Sequence, residues 1–196
     1  MKKNFLPRVK EVFQEEINEL INLKDNLSFE LNNVMELILS CEGKIIFMGI
    51  GKMGIIARKI SASFTSTGTK AIFIHATEAA HGDLGLIDEK DIVFLISNSG
   101  KSIEVINIID PIKKIGAKII AMTGNSNSEV AKQALCVLNI GVNKEVCPWG
   151  KAPTTSTTAA LLMGDALTIC LMEERKFTKE DYLKYHPGGK LGENLF

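Results

Sequence analysis

Short, continuously apolar runs alternating with stretches of helical spacing constrain this chain more than any other feature. The runs are Lys44-Ile-Ile-Phe-Met-Gly49, Ala71-Ile-Phe-Ile-His75, Asp91–Ile96, Lys118–Met122 and Val137–Ile140; Met53–Phe64, Ser102–Ile115 and Glu129–Leu135 lie between them and predict helices. A strand with one wet face alternates apolar and polar residues, whereas these are apolar at successive positions, so both faces must be covered. Strands covered on both sides and joined by helices read as an α/β fold built on a parallel sheet. Right-handed crossovers bring every strand's C-terminal end to one edge, and ligands of open α/β sheets bind there.

The flanks depart from this alternation. Val9, Val12, Phe13, Ile17, Leu20 and Ile21 recur at helical spacing, with Glu11, Glu15, Glu16 and Glu19 on the other face. A second amphipathic helix is predicted over Leu27–Cys41. Two helices before the first strand exceed what a crossover needs, so residues 1–42 are expected to pack on the domain's flank or against another subunit. Gly141–Gly150 reads as loop, Ala152-Pro-Thr-Thr-Ser-Thr-Thr158 opens an apolar, buried helix running to about Glu173, and Asp181–Gly192 has the turn chemistry of a loop. With no repeat or linker, residues 1–196 read as one domain. No stretch is expected to span a membrane, and the N-terminus lacks a signal peptide's apolar run.

One strand runs into a turn that opens a helix: Val93-Phe-Leu-Ile-Ser97-Asn98-Ser99-Gly100-Lys101-Ser102-Ile103-Glu104. Such a turn leaves amide groups without backbone partners, and Ser97, Ser99 and Ser102 add hydroxyl donors. Gly100 lets the backbone approach a ligand closely. A single serine would suffice to cap a helix. Several hydroxyls favour a bound anion, and phosphate is the physical reading.

Composition decides how that anion must be held. Lysine plus arginine and aspartate plus glutamate number 23 each, so the formal net charge is zero. No bulk field draws in nucleic acid or an anionic membrane, and any anion must be gripped by a local, preformed site. Cys41, Cys136, Cys147 and Cys170 are far apart among apolar neighbours. They read as reduced core residues of a cytoplasmic protein.

Gly49-Ile50-Gly51-Lys52-Met53-Gly54 matches the dinucleotide fingerprint between a strand and a helix. A Rossmann fold places an acid at the end of its second strand, yet that strand ends in His75-Ala76-Thr77, with Glu78 beyond. Lys52 explains the glycines better, since a cation beside a close-approach turn suits a phosphate or a reacting carbonyl oxygen. Of three histidines, His75 and His81 both fall in His75-Ala-Thr-Glu78-Ala-Ala-His81-Gly-Asp83-Leu-Gly85. Zinc held by His75, His81 and Glu78 or Asp83 is a competing reading, but the spacing matches no tight ligand motif. Glu104 begins a predicted helix, while Glu145 and His186 lie in irregular segments of the kind that carry catalytic groups.

Together these stretches resemble the sugar isomerase (SIS) domain family, and within it the arabinose 5-phosphate isomerases. The resemblance rests on the glycine motif, His81-Gly-Asp-Leu-Gly, Ser97-Asn-Ser-Gly, Ala152-Pro-Thr-Thr-Ser-Thr-Thr with Met163-Gly-Asp-Ala, and His186-Pro-Gly-Gly-Lys-Leu-Gly, in the family's usual order. It implies a five-stranded parallel sheet flanked by helices on both faces, in a homotetramer with active sites shared between subunits. It also implies interconversion of D-ribulose 5-phosphate and D-arabinose 5-phosphate, the entry to Kdo biosynthesis. Two departures stand out. Lys101 occupies a position where many relatives have glutamate, an exchange expected to tune phosphate affinity. The chain stops at Phe196 where many relatives continue into paired CBS domains, so it is expected to be the catalytic domain alone, without nucleotide regulation through such domains.

Aldose-ketose isomerisation passes through an enediol and needs no cofactor. It requires a base for carbon, a group for the oxygen protons and a grip on the phosphate. Ser97, Asn98, Ser99, Gly100 and Ser102, with Thr155, Ser156, Thr157 and Thr158, are expected to hold phosphate. Gly51, His75, Glu78 and Asp83 are expected to contact the sugar. Lys52 is the candidate for the enediolate oxygen. The resemblance makes Glu104, Glu145, His81 and His186 the acid–base candidates, with His186 or Glu104 as carbon base and His81 opening the furanose ring. No metal is required; an inhibitory zinc ion is placed at His75 if one binds. The competing readings are an isomerase of hexulose or heptulose phosphates and a non-catalytic sugar-phosphate sensor. Against a DNA-bound sensor, the first forty residues carry neither basic charge nor a helix-turn-helix.

Overall fold

The computed structural model describes residues 3–187. Helices α1 (Leu6–Asp25) and α2 (Glu30–Leu39) precede strand β1 (Ile45–Gly49). There follow α3 (Gly51–Ser66), β2 (Ala71–His75), α4 (Ala76–Ala79), one 3-10 turn at Asp83–Leu86, β3 (Ile92–Ile96), α5 (Ile103–Ile106) and α6 (Ile109–Ile115). The chain continues through β4 (Lys118–Thr123), α7 (Glu129–Gln133), β5 (Cys136–Asn139), α8 (Thr155–Glu174) and α9 (Lys179–Tyr185). The strands form one parallel sheet in the order β2-β1-β3-β4-β5. The order reverses between β1 and β3, where a doubly wound sheet opens a crevice.

Both faces of the sheet are packed, as the apolar runs require. Phe47, Phe94, Ile120 and Met122 meet Val34 and Ile38 of α2, Ile60 and Phe64 of α3, and Met163 and Leu167 of α8. Ile46, Met48, Val93, Leu95 and Ala121 turn the other way, onto Ala76, Val105, Ile108, Ile112 and Val130. Phe47 is the centre of the first layer, its ring 5.0 Å from those of both Phe64 and Phe94. Helix α8 lies close on α3 because Gly164 has no Cβ: one would sit 2.4 Å from Ile60 Cγ1.

Several expectations change. The helix expected over Ser102–Ile115 breaks at Asn107–Ile108, because Pro111 lacks the N–H that would bond the Asn107 carbonyl and its ring crowds that carbonyl. The stretch after His75 contains α4, capped where the Thr77 amide donates to His75 Nδ1 at 3.3 Å. The segment expected to be loop from Asp181 belongs to α9, whose capping box pairs the Thr178 and Asp181 side chains with each other's amides. Lys184 and Thr178 hold the Asp181 carboxyl down at about 2. Helix α8 is long and apolar enough to span a membrane by length and composition, but about half of it is buried inside the fold. Only Cys136 is a buried cysteine; Cys41 and Cys147 are half-buried and Cys170 is exposed.

Helix α1 sits with its polarity inverted. Its acidic side faces the domain: Glu19 accepts from the Asn143 amide at 2.7 Å, Glu16 from the Thr158 hydroxyl at 3.2 Å, and Glu15 pairs with Lys144 at 3.3 Å. Val9, Phe13, Ile17 and Ile21 are exposed in an i, i+4 stripe on the outside.

Truncating the central aromatic tests this packing. Phe47→Ala is expected to cost about 3–5 kcal/mol through lost burial and a residual cavity, read from urea unfolding midpoints.

Candidate active site

Three chain segments converge at the C-terminal ends of β1 and β3. The first is the glycine turn after β1. A Cβ on Gly49 would lie 3.1 Å from the Ile96 carbonyl oxygen, and one on Gly54 would lie 3.0 Å from that of Gly49. These glycines let α3 start hard against the sheet, and Gly51, at φ +53°, makes the turn. Lys52, in the first turn of α3, is exposed.

The second segment is the serine loop after β3, which is held from behind. The Ser97 amide donates to the Met122 carbonyl at 3.1 Å, and the Asn98 carbonyl accepts from the Gly124 amide at 3.0 Å and the Thr123 hydroxyl at 3.2 Å. Gly100 turns at φ +60°, and a Cβ there would lie 2.0 Å from Ser128 Oγ. Ser97 is buried, its hydroxyl 3.1 Å from that of Ser102. The amides of Asn98, Ser99 and Ser102 have no protein acceptor among the described residues. Exposed or half-buried donors on a braced turn are the backbone chemistry of an oxyanion site.

The third segment runs from Glu145 into α8. The Glu145 carboxylate accepts from the Thr154 amide at 2.8 Å, the Thr154 hydroxyl at 3.1 Å, the Ser156 amide at 3.1 Å and the Ser156 hydroxyl. Burial pushes this carboxyl up, but the bonds from Ser156 and Thr154 outweigh it and hold its pKa below the usual glutamate range. Glu145 is therefore the cap of α8, charged and fully engaged. Two residues on, Cys147 Sγ accepts from the Lys151 and Ala152 amides at 3.0 and 3.1 Å. Burial raises that thiol's pKa, and these amide bonds more than reverse the shift.

A cleft of about 420 Å³ lies between the three segments, lined by Gly51, Lys52, Ser97, Asn98, Ser99, Ser102, Glu145 and Ser156 among the expected residues. Ile50, Met53, Ile96, Gly150, Lys151 and Pro153 complete its walls and were not singled out from sequence. Lys151 lies between Pro148 and Pro153 in a glycine-containing loop; that punctuation was the available signal.

The other candidates lie elsewhere. Thr155 is buried, its hydroxyl accepting from the Val146 amide at 3.2 Å. Thr157 and Thr158 donate to the Thr154 carbonyl, and Thr158 also to Glu16. The three threonines brace the start of α8, and only Ser156 of the group lines the cleft. Gly100 serves the turn from behind. Half-buried Glu104 and exposed His81, Glu78 and Asp83 are not among the cleft residues. His75 caps α4 through Nδ1, and no group of three His, Cys, Asp or Glu side chains suited to a metal forms among the described residues.

His186 is furthest away. Helix α8 starts at the cleft, and its 20 residues carry the chain roughly 30 Å across the domain. There Arg175 donates to the Ile38 carbonyl at 3.3 Å, Phe177 lies against Gly68, and Tyr185 stacks on Phe177 at 6.2 Å. His186 stacks on Tyr182 at 3.8 Å, with Nδ1 2.8 Å from the Tyr182 carbonyl oxygen. The rest of its motif, Gly188–Gly192, lies outside the described residues.

Comparison with known proteins agrees with this architecture. The model of the SIS domain matches residues 38–170. The arabinose 5-phosphate isomerase KdsD of Yersinia pestis is 47% identical over 95% of this chain and 57% of its own length. The arabinose 5-phosphate isomerase KpsF of Escherichia coli O6:H1 is 45% identical over 95% of this chain and 58% of its own. The chain thus spans somewhat less than three fifths of these relatives. A solved structure from E. coli CFT073, in complex with arabinose 5-phosphate, superposes with a TM-score of 0.91 at 39% identity, covering 95% of this chain and 100% of that one. In sequence and in fold, this chain belongs to the SIS domain family.

Proposed function

We propose that this chain interconverts D-ribulose 5-phosphate and D-arabinose 5-phosphate through an enediol, supplying the first step of Kdo biosynthesis. The observation that carries the reading is the braced serine loop, with the amides of Asn98, Ser99 and Ser102 unclaimed by protein acceptors, facing Lys52 across one cleft. The relatives' names and the neighbour solved with arabinose 5-phosphate support the choice of sugar.

The chemistry follows from the placement. The loop amides and hydroxyls hold the phosphate, and its binding energy fixes C1 and C2 near Lys52. The proton moves between those carbons, and the Lys52 ammonium stabilises the enediolate oxygen. Glu145 positions the wall, since its carboxylate is held by Thr154 and Ser156. The candidate bases His186 and Glu104, and His81 as the ring-opening group, do not line the cleft of their own chain. Assembly supplies them in this reading: a homotetramer brings a neighbour's histidines to each cleft. Its support is the outward apolar stripe of α1, continuous with an apolar groove of about 470 Å³ between α1, α2 and α8 lined by Ile17, Ile21, Leu162 and Cys170. The four free cysteines support a reducing, cytoplasmic setting.

The direct test mixes EDTA-treated protein with D-ribulose 5-phosphate in D2O and follows products by NMR, with ribose 5-phosphate and fructose 6-phosphate as controls. Arabinose 5-phosphate with solvent deuterium at the transferred position is expected. Turnover of another ketose phosphate in its place would redirect the substrate, and saturable binding without turnover would make the protein a sensor.

Lys52→Ala and His186→Ala are each expected to lower turnover at least about tenfold. Unfolding and refolding equal amounts of the two variants together should restore roughly a quarter of wild-type activity if each site draws Lys52 and His186 from different chains. No recovery beyond the two variants' own rates would refute the shared site.

Glu145→Gln reports on the cap. Because the folded carboxyl titrates below its ordinary value of 4.5, its stabilisation is complete above that pH and is lost as pH falls through the folded value. The variant is expected to lose about 1 kcal/mol at pH 7 and to show a shallower fall in melting temperature below pH 4.5 than wild type.

A further inference from the structure

The cleft holds more positive charge than the resemblance accounts for. Lys52 and Lys151 line it from opposite segments, and neither forms an ion pair among the described residues. Glu145, the one carboxylate in its lining, has spent its oxygens on Thr154 and Ser156. That carboxylate keeps its charge, so two lysines against one carboxylate leave the lining with one net positive charge. The Lys151 backbone is also fixed: its amide donates to Cys147 Sγ at 3.0 Å, and the Gly150 amide to the Cys147 carbonyl at 2.9 Å. The ammonium hangs on a flexible stem from an anchored base, so little of the loop need reorder when it meets an anion.

Resting on the reading of the serine loop as a phosphate site, we propose that Lys151 is a specificity-determining residue, which reads the second negative charge of the phosphate ester. A bound phosphomonoester dianion carries two charges, and the enediolate adds a third in the transition state. Lys52 faces the last of these. The loop's neutral donors feel the added charge only through their dipoles, whereas a cation gains from it with its full charge. Lys101 sits beside the loop but outside the cleft lining, its amide turned to Ser99 Oγ at 3.2 Å. The tuning of phosphate affinity expected of Lys101 therefore falls to Lys151.

The test is binding, so it does not depend on turnover. D-arabinose 5-phosphate and, separately, inorganic phosphate are titrated calorimetrically into wild type, Lys151→Met, Lys151→Arg and Lys101→Met between pH 5 and pH 8. Phosphomonoesters lose their second proton near pH 6, so wild-type affinity is expected to rise across that range. Lys151→Met should bind arabinose 5-phosphate about tenfold more weakly at pH 8, a typical loss for one charge-assisted contact, with the pH-dependent rise flattened. Lys151→Arg should restore both, and Lys101→Met should stay within about threefold of wild type. An unchanged melting temperature checks that each variant is folded. Lys151→Met binding within twofold of wild type with the pH rise intact would overturn the proposal. So would an equal loss in Lys101→Met, which would indicate a diffuse field, or a wild type that binds neither probe. A wild type that binds arabinose 5-phosphate with this lysine dependence and fails to isomerise it would overturn the isomerase reading and leave this one standing.

Discussion

The parallel pairing of β1 with β3 is the constraint on which the cleft depends. Its register sets Gly49 opposite Ile96, so the chain leaves both strands at the same height and the glycine turn and serine loop open side by side. At the other end Asp91, 1% exposed, accepts from the Lys44 amide at 2.8 Å and the Asp88 amide at 2.7 Å and pairs with Lys44 Nζ at 2.6 Å. A Cβ on Gly43 would lie 2.3 Å from that carboxylate. One buried acid thus joins the starts of the two strands whose ends build the site. A one-residue slip would exchange the side chains that a strand presents to the two packed layers and shift Lys52 along the sheet relative to the serine loop.

The glycine motif shows how a sequence signal can be correct about place and open about purpose. It announced a turn between strand and helix with close backbone approach, and the contacts of Gly49 and Gly54 show that approach to be strand against helix. A dinucleotide site would have made the same demand of the backbone. The absent acid at the end of β2 and the lysine within the turn separate the two readings, and both could be read from the residues alone. The parallel sheet was legible for a similar reason: burial on two faces leaves no alternative to continuous apolar runs.

What escaped the sequence was set by tertiary partners or by short-range chemistry passed over. Pro111 and the Thr178–Asp181 pair were visible and mark the break before α6 and the start of α9. The threonines at the start of α8 were not separable by type: a hydroxyl reads alike whether it serves a ligand or, as with Thr155 and Thr158, Val146 and Glu16. Lys151 gave no periodic signal because it lies in irregular chain, and only the fold brings it opposite Lys52. Spacing recovered the faces of α1 but left open which of them meets the domain, and its carboxylates turn inward to Asn143, Lys144 and Thr158.

The inversion of α1 and the occupied start of α8 reflect one logic. The long helix α8 begins with amides that attract any nearby carboxylate or phosphate. Glu145 takes those of Thr154 and Ser156, so an external anion must meet other amides around the cleft, those of the serine loop among them. Glu16 and Glu19 of α1 bind the hydroxyl and loop amide nearby, so the acidic face of α1 finds its partners inside the chain and its apolar face must find them elsewhere. The same interactions that reserve one anion site therefore leave an apolar surface facing outward. The candidate histidine lies beyond the far end of α8, a helix about 30 Å long that starts at the cleft, and that surface offers a place for the association that the proposed shared site requires.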